Sequence, residues 1–109
     1  MKIGFVYILS NKNRTSNYIG VTSNLELRIL SHKALLGSKF TSKYKLTDLV
    51  YYERIHGMQN AIDREKQLKR WHKEWKWNLI KEENPDLNDL AKDWFSKNEI
   101  ENFKNNNPF

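Results

Sequence analysis

Ile3-Gly4-Phe5-Val6-Tyr7-Ile8-Leu9 is followed, after a polar stretch over residues 10–17, by Tyr18-Ile19-Gly20-Val21. The first run is apolar and rich in β-branched and aromatic side chains, the pattern of a strand buried on both faces. The intervening Ser-Asn-Lys-Asn-Arg-Thr-Ser-Asn is made of turn formers, so the two runs predict an antiparallel hairpin with a long loop. Tyr7 lies on one strand and Tyr18 on the other. Taken alone, such tyrosines are ordinary half-buried sheet aromatics, and cross-strand aromatic pairs are common.

Reading outward, Thr22 or Ser23 can cap a first helix, with Glu26 three residues after Ser23 completing a capping box. That helix is expected to run to about Leu36, where Gly37 supplies a stop. A basic loop over residues 38–45 leads to a third strand near Leu49–Arg54, which His56-Gly57 breaks. Helical periodicity returns at Met58 and persists to about Glu83, with a kink near Trp71 or His72, until Asn84-Pro85 ends it. Residues 86–100 predict a final helix with Leu87, Leu90, Trp94 and Phe95 as its apolar contacts, and the last eight residues predict a frayed end. The order predicts an α+β fold, a small three-stranded antiparallel sheet flanked by helices.

Composition narrows the chemistry. The chain has 109 residues, enough for one modest core. Nineteen Lys and Arg oppose thirteen Asp and Glu, and the net charge of +6 favours polyanionic partners. Cysteine is absent, which excludes a disulfide framework, a thiolate zinc site and a cysteine nucleophile. No apolar run approaches the roughly 18 residues of a membrane span. The expectation is a soluble cytoplasmic protein.

Glu65 is the most pointed single residue. At 100° per residue it shares a helix face with Met58, Ala61, Ile62 and Leu68, where an unpaired carboxylate is costly. By itself, an ion pair with Lys66 or Lys69 is the commoner explanation. A lone hard oxygen ligand would instead suit Mg²⁺ or Mn²⁺ rather than zinc. Arg28 and His32, spaced i, i+4, share one side of the first helix with Leu25, Ile29 and Leu36, while Leu27, Leu30 and Ala34 form a second apolar stripe. A forked cation beside a group that moves protons near neutral pH suits phosphoryl transfer, although a surface Arg with an incidental His is the plainer reading of this helix alone. Lys66, Lys69, Arg70, Lys73 and Lys76 interleave with Trp71, Trp75 and Trp77, and Lys39, Lys43 and Lys45 surround Phe40 and Tyr44. Such mixtures serve phosphate contact and base stacking. Trp71 and Trp75 read better as core residues, and the 38–45 loop reads better as a DNA contact.

Phe5-Val6-Tyr7, then Tyr18-Ile19-Gly20, the segment 27–32 (Leu-Arg-Ile-Leu-Ser-His), the 39–44 loop (Lys-Phe-Thr-Ser-Lys-Tyr) and the helix 61–71 together resemble the GIY-YIG nuclease superfamily. The resemblance is to its small single-domain members, related to the N-terminal nuclease domain of the bacterial excision-repair excinuclease ABC, and the first triplet departs from Gly-Ile-Tyr while keeping its tyrosine. It covers about residues 3–83. It implies a nuclease-like domain over residues 1–83, with residues 84–109 as a helical extension packed on the same domain. The activity implied is metal-dependent hydrolysis of phosphodiester bonds in DNA, structure-selective and linked to repair or recombination. The alternative is a nucleic-acid- or partner-binding module of the same fold. Carried over residue by residue, Tyr7 orients or deprotonates the attacking water, Tyr18 holds water and phosphate, and Arg28 stabilises the pentacovalent phosphate. His32 acts as base or proton relay, and Glu65 holds one Mg²⁺ or Mn²⁺. Gly20, Lys39, Lys43, Tyr44 and Lys69 are the expected substrate contacts. DNA is the implied partner, with room for a protein partner that supplies specificity, and no membrane.

Overall fold

A computed structural model describes residues 2–107, and its centre is the strand that the apolar run predicts. Strand β1 (Ile3–Ser10) lies between β2 (Asn17–Thr22) and β3 (Asp48–His56), antiparallel to both. Tyr7 stands opposite Gly20 on one side and Tyr52 on the other, and Leu9 stands opposite Tyr18. The β1–β3 register slips between Ile8 and Leu9, leaving Val50 as the extra residue of a bulge.

Both faces of β1 are covered, which is why its sequence does not alternate. Val6 and Ile8 join Ile19, Val50 and Tyr51 against Ala61 and Leu68 of α3 (Met58–Lys69) and Ile80 of α4 (Lys73–Glu83). Tyr7 and Leu9 point the other way, into a cluster with Leu25 and Ile29 of α1 (Leu25–Lys33), Leu46, Leu49 and Ala91. The α+β architecture and the three-stranded antiparallel sheet match the reading of the sequence.

Several boundaries differ. Asn24, not Thr22 or Ser23, caps α1, its side chain accepting the Leu27 N–H. The helix ends at Lys33, short of Leu36, and it is Leu35 that takes a positive φ of 62°. Part of the expected basic loop is a short helix, α2 (Lys39–Lys43), capped by Ser38 through the Thr41 N–H. The kink expected near Trp71 is a full break over residues 70–72 between α3 and α4.

The last helix, α5 (Lys97–Asn105), starts eleven residues later than the expected one, behind a Ser96–Glu99 capping box. Residues 86–96 are turns because their polar groups are already spent on the rest of the chain. Asp89 accepts the Leu49 N–H, the Leu90 N–H donates to the Leu49 carbonyl, and the buried Asn84 amide donates to the Val50 carbonyl. Arg14 Nε donates to the Leu87 carbonyl, where φ is 53°. Of the end expected to fray, residues 102–105 are helical and residues 108–109 lie outside the described residues. Among the described residues no helix is long and apolar enough to cross a membrane.

Candidate active site

Tyr7 is 1% exposed, yet its hydroxyl is the hub of a polar chain. Its phenol crosses toward β2 over Gly20, where any side-chain carbon would overlap the ring and its oxygen. The sequence reading expects Gly20 to leave room for substrate or backbone. That room is filled by Tyr7 itself.

One turn apart on α1, Arg28 and His32 both reach this hydroxyl. Arg28 Nε donates to Tyr7 Oη at 3.2 Å, and Tyr7 Oη lies 3.0 Å from His32 Nε2. His32 is 1% exposed, and a Cβ on Gly37 would overlap its imidazole, so the chain after α1 closes over the ring. His32 Nδ1 lies 3.1 Å from Thr41 Oγ1, and Thr41 Oγ1 lies 2.9 Å from Ser38 Oγ. The helix that reads as apolar on two sides buries Leu25 and Ile29 on one and leaves Leu27 half exposed on the other.

The electrostatics follow from this enclosure. Burial, reinforced by the Arg28 guanidinium, pushes His32 down to about 4, so the ring is neutral at pH 7. Burial likewise pushes the Tyr7 phenol above its ordinary value of 10.0, outweighing the lowering by Arg28. Tyr18 and Glu65 push in the same direction, which shows that the α3 carboxylate is felt at the phenol.

Tyr18 is half-buried, its ring centroid 6.4 Å from that of Tyr7 and 6.0 Å from that of His32. Lys69 Nζ sits 5.9 Å from the Tyr18 ring and 3.3 Å from Glu65. Glu65 therefore has the lysine partner that its spacing suggests, on the edge of a helix face whose Ala61 and Leu68 are fully buried. Helix α3 is held at this height by a separate cluster, in which Arg64 donates twice to Glu53 at 2.9 Å and Tyr51 donates to the same carboxylate.

An open groove of about 350 Å³ runs beside this group, lined by Asn17, Tyr18, Ile19, Phe40, Lys69 and Lys76. Phe40 stands 6.2 Å from Tyr18 and 4.9 Å from Tyr44 between ring centroids, and Lys43 Nζ lies 5.3 Å from the Tyr44 ring. Lys39 and Lys43 are exposed on the same short helix. A larger depression of about 600 Å³ on the β3 side holds none of these residues. The structure thus brings Tyr7, Arg28 and His32 into direct contact, sets Tyr18, Glu65 and Lys69 around them, and places Lys39, Lys43 and Tyr44 on the rim.

Two side chains stand differently from their expectation. Trp75, read as a core residue, is 53% exposed, whereas Trp71 packs on the core beneath the Arg64 guanidinium. Thr41 is a site residue that the sequence does not single out. It sits amid lysines and aromatics, and nothing in that local pattern marks one hydroxyl as turned inward.

Comparison with known proteins agrees with this geometry. A model described as the GIY-YIG catalytic domain matches residues 3–78. A UPF0213 protein of Staphylococcus haemolyticus is 36% identical over 78 residues, 72% of this chain and 94% of that protein. A UPF0213 protein of Clostridium perfringens is 38% identical over 87 residues, covering 75% and 92% of the two chains. A third, from Natronomonas pharaonis, is 34% identical over 79 residues, covering 72% and 92%. No solved structure gives a significant match. With the matched segment enclosing every element that contributes to the Tyr7–Arg28–His32–Glu65 group, the chain belongs to the GIY-YIG nuclease superfamily.

Proposed function

We propose that this protein is a metal-dependent endonuclease that hydrolyses phosphodiester bonds in DNA, with Tyr7, Tyr18, Arg28, His32 and Glu65 as its working residues. The observation that carries the reading is the buried chain from Arg28 Nε through Tyr7 Oη to His32 Nε2. Arginine is a donor only, so Tyr7 accepts from it and keeps its own proton for His32. A neutral imidazole with a free ring nitrogen is the acceptor such a proton needs.

The roles follow from these protonation states. The raised pKa means that Tyr7 does not rest as a phenolate. As a water attacks phosphorus, its proton passes to the Tyr7 oxygen while the Tyr7 proton passes to His32 Nε2, so no free phenolate forms. The incoming phosphate offsets the Arg28 charge, one of the two causes that depress His32, and so raises the proton affinity of the ring when it is needed. Arg28 presents its remaining N–H groups to the equatorial oxygens, and Tyr18 orients water and phosphate.

The donor set fits one hard divalent ion. Glu65 contributes a single carboxylate, and among the described residues no three His, Cys, Asp or Glu side chains cluster, so water and phosphate oxygens would complete the shell as Mg²⁺ or Mn²⁺ prefers. Such an ion supplies charge stabilisation for the departing 3′ oxygen. Lys69 would then turn from Glu65 to the substrate backbone, with Lys39, Lys43 and Tyr44 contacting DNA along the groove. These contacts address backbone and base faces, which suits a structure-selective enzyme of repair or recombination, with sequence choice left to a protein partner.

A second reading rests on the Glu65–Lys69 pair at 3.3 Å, which satisfies the carboxylate without metal and fits a nucleic-acid-binding module of the same fold. Supercoiled plasmid and branched or single-stranded DNA incubated with Mg²⁺ or Mn²⁺ separates the two. Nicking that needs metal and disappears in Glu65→Ala supports the nuclease. DNA binding without cleavage by either protein overturns it.

A further inference from the structure

Tyr7 Oη has two hydrogen-bond neighbours in the protein, Arg28 Nε and His32 Nε2. Arginine cannot accept, so the proton of this buried hydroxyl has His32 Nε2 as its acceptor. A neutral imidazole carries one proton, and with Nε2 accepting, that proton is on Nδ1. Nδ1–H is then directed at Thr41 Oγ1, 3.1 Å away and itself 1% exposed. The Thr41 hydroxyl passes the chain on to Ser38, whose Oγ is 2.9 Å distant.

We infer that Thr41 is a positioning residue that holds His32 in the Nδ1–H tautomer, leaving Nε2 free to take the Tyr7 proton. The catalytic consequence rests on the nuclease reading above, whereas the tautomer does not. Two further features argue that the contact is built rather than incidental. Gly37 lets the backbone close on the imidazole, and Ser38 at once caps α2 and bonds Thr41 through both backbone and side chain. The outer side of the same helical turn carries Lys39, Phe40 and Lys43. One rigid turn of helix thus faces substrate on one side and sets the ring on the other.

The test is the tautomer of His32 read from ¹⁵N chemical shifts and long-range ¹H–¹⁵N couplings in the full-length protein. Wild type and Thr41→Ser are expected to show Nδ1 protonated and Nε2 bare. Thr41→Val, which keeps the shape and loses the acceptor, is expected to show a mixture or the reverse tautomer. Ser38→Ala, one link further out, is expected to weaken the preference and serves should Thr41→Val fail to fold. In DNA cleavage, Thr41→Val should lower kcat about tenfold or more, the scale seen when an orienting partner of a functional histidine is lost, with KM nearly unchanged and Thr41→Ser restoring most of the rate. A bare Nδ1 in the wild type, or a Thr41→Val protein with the wild-type tautomer and rate, overturns the assignment. Should no form of the protein cleave DNA, the nuclease reading fails while the ring spectra still decide what Thr41 does.

Discussion

The phenol of Tyr7 occupies the space that the missing side chain of Gly20 leaves on the neighbouring strand, so two residues of the signature hairpin are fitted to each other before any substrate arrives. Gly20→Ala should therefore move Tyr7 off Arg28 and His32. Overpacking of this kind costs about 1–3 kcal/mol, a fall of several degrees in Tm for a domain of this size. Cleavage should fall much further than stability, because the hydroxyl loses both partners. A Gly20→Ala protein that melts and cleaves like wild type would show that the strands part easily here.

Buried neutral His32 makes stability pH-dependent. Its folded pKa lies near 4 and the ordinary value is 6.5, so on acidification the unfolded chain takes up a proton that the folded chain refuses. Stability is fully present above about 6.5 and falls between 6.5 and 4, by about 3 kcal/mol in all. Asp48 and Glu53, both held below the usual carboxylate range despite their burial, by Arg14 and by Arg64 respectively, lose their contributions only at lower pH. Urea melts at pH 7 and pH 5 should differ clearly for wild type and much less for His32→Gln. Equal slopes would mean that the ring is hydrated.

Tyr7→Phe removes one oxygen and should abolish cleavage. It should also cost about 1–3 kcal/mol, since His32 Nε2 is left buried without its partner. Read from sequence alone, the same change would seem nearly neutral in stability. Thermal melts distinguish the two, and an unchanged Tm would place water beside the imidazole.

That contrast marks how far the sequence was legible. The doubly buried β1, the hairpin and the Arg28–His32 spacing follow from local pattern, because each depends on residues within a few positions of one another. Glu65 stood out because a carboxylate on an apolar helix face conflicts with its surroundings. Thr41 did not, since what distinguishes it is a ring nine residues away that only the closed chain brings near. Helix α2 has five residues, too few for a periodicity to register among lysines. Leu87, Leu90, Trp94 and Phe95 resemble a helix face, but Asp89 and Asn84 commit the backbone around them to β3 instead. The Ser96–Glu99 capping box was present in the sequence as the true helix start.

Glu65→Gln should separate metal from packing. Lys69 is half exposed, so breaking this pair should change stability by less than about 1 kcal/mol. Cleavage in Mg²⁺ or Mn²⁺ should disappear while DNA binding is kept or tightened, because a negative charge is removed beside the groove. Loss of DNA binding in Glu65→Gln would instead mean that the carboxylate organises Lys69 and that the ion pair is the functional unit.

The segment beyond the family match tests whether residues 84–109 belong to the folding unit. Asp89 accepts the Leu49 N–H at 2.9 Å and pairs with Lys33 at 2.7 Å, where both side chains are largely enclosed. Lys33 follows His32 on α1, so Asp89 ties the helix that bears the imidazole to the edge of β3. Asp89→Ala leaves an ammonium and a backbone N–H poorly partnered and should cost about 2–4 kcal/mol. Asp89→Asn keeps an oxygen for Leu49 and should lose less. Truncation after Glu83 also removes Ala91, Trp94 and Phe95 from the cluster around Tyr7, and the shortened chain should show a broad, low-temperature melt or none. A residue 1–83 protein with the wild-type Tm would show that this cluster closes without the extension, and would move the boundary of the domain back to the end of α4.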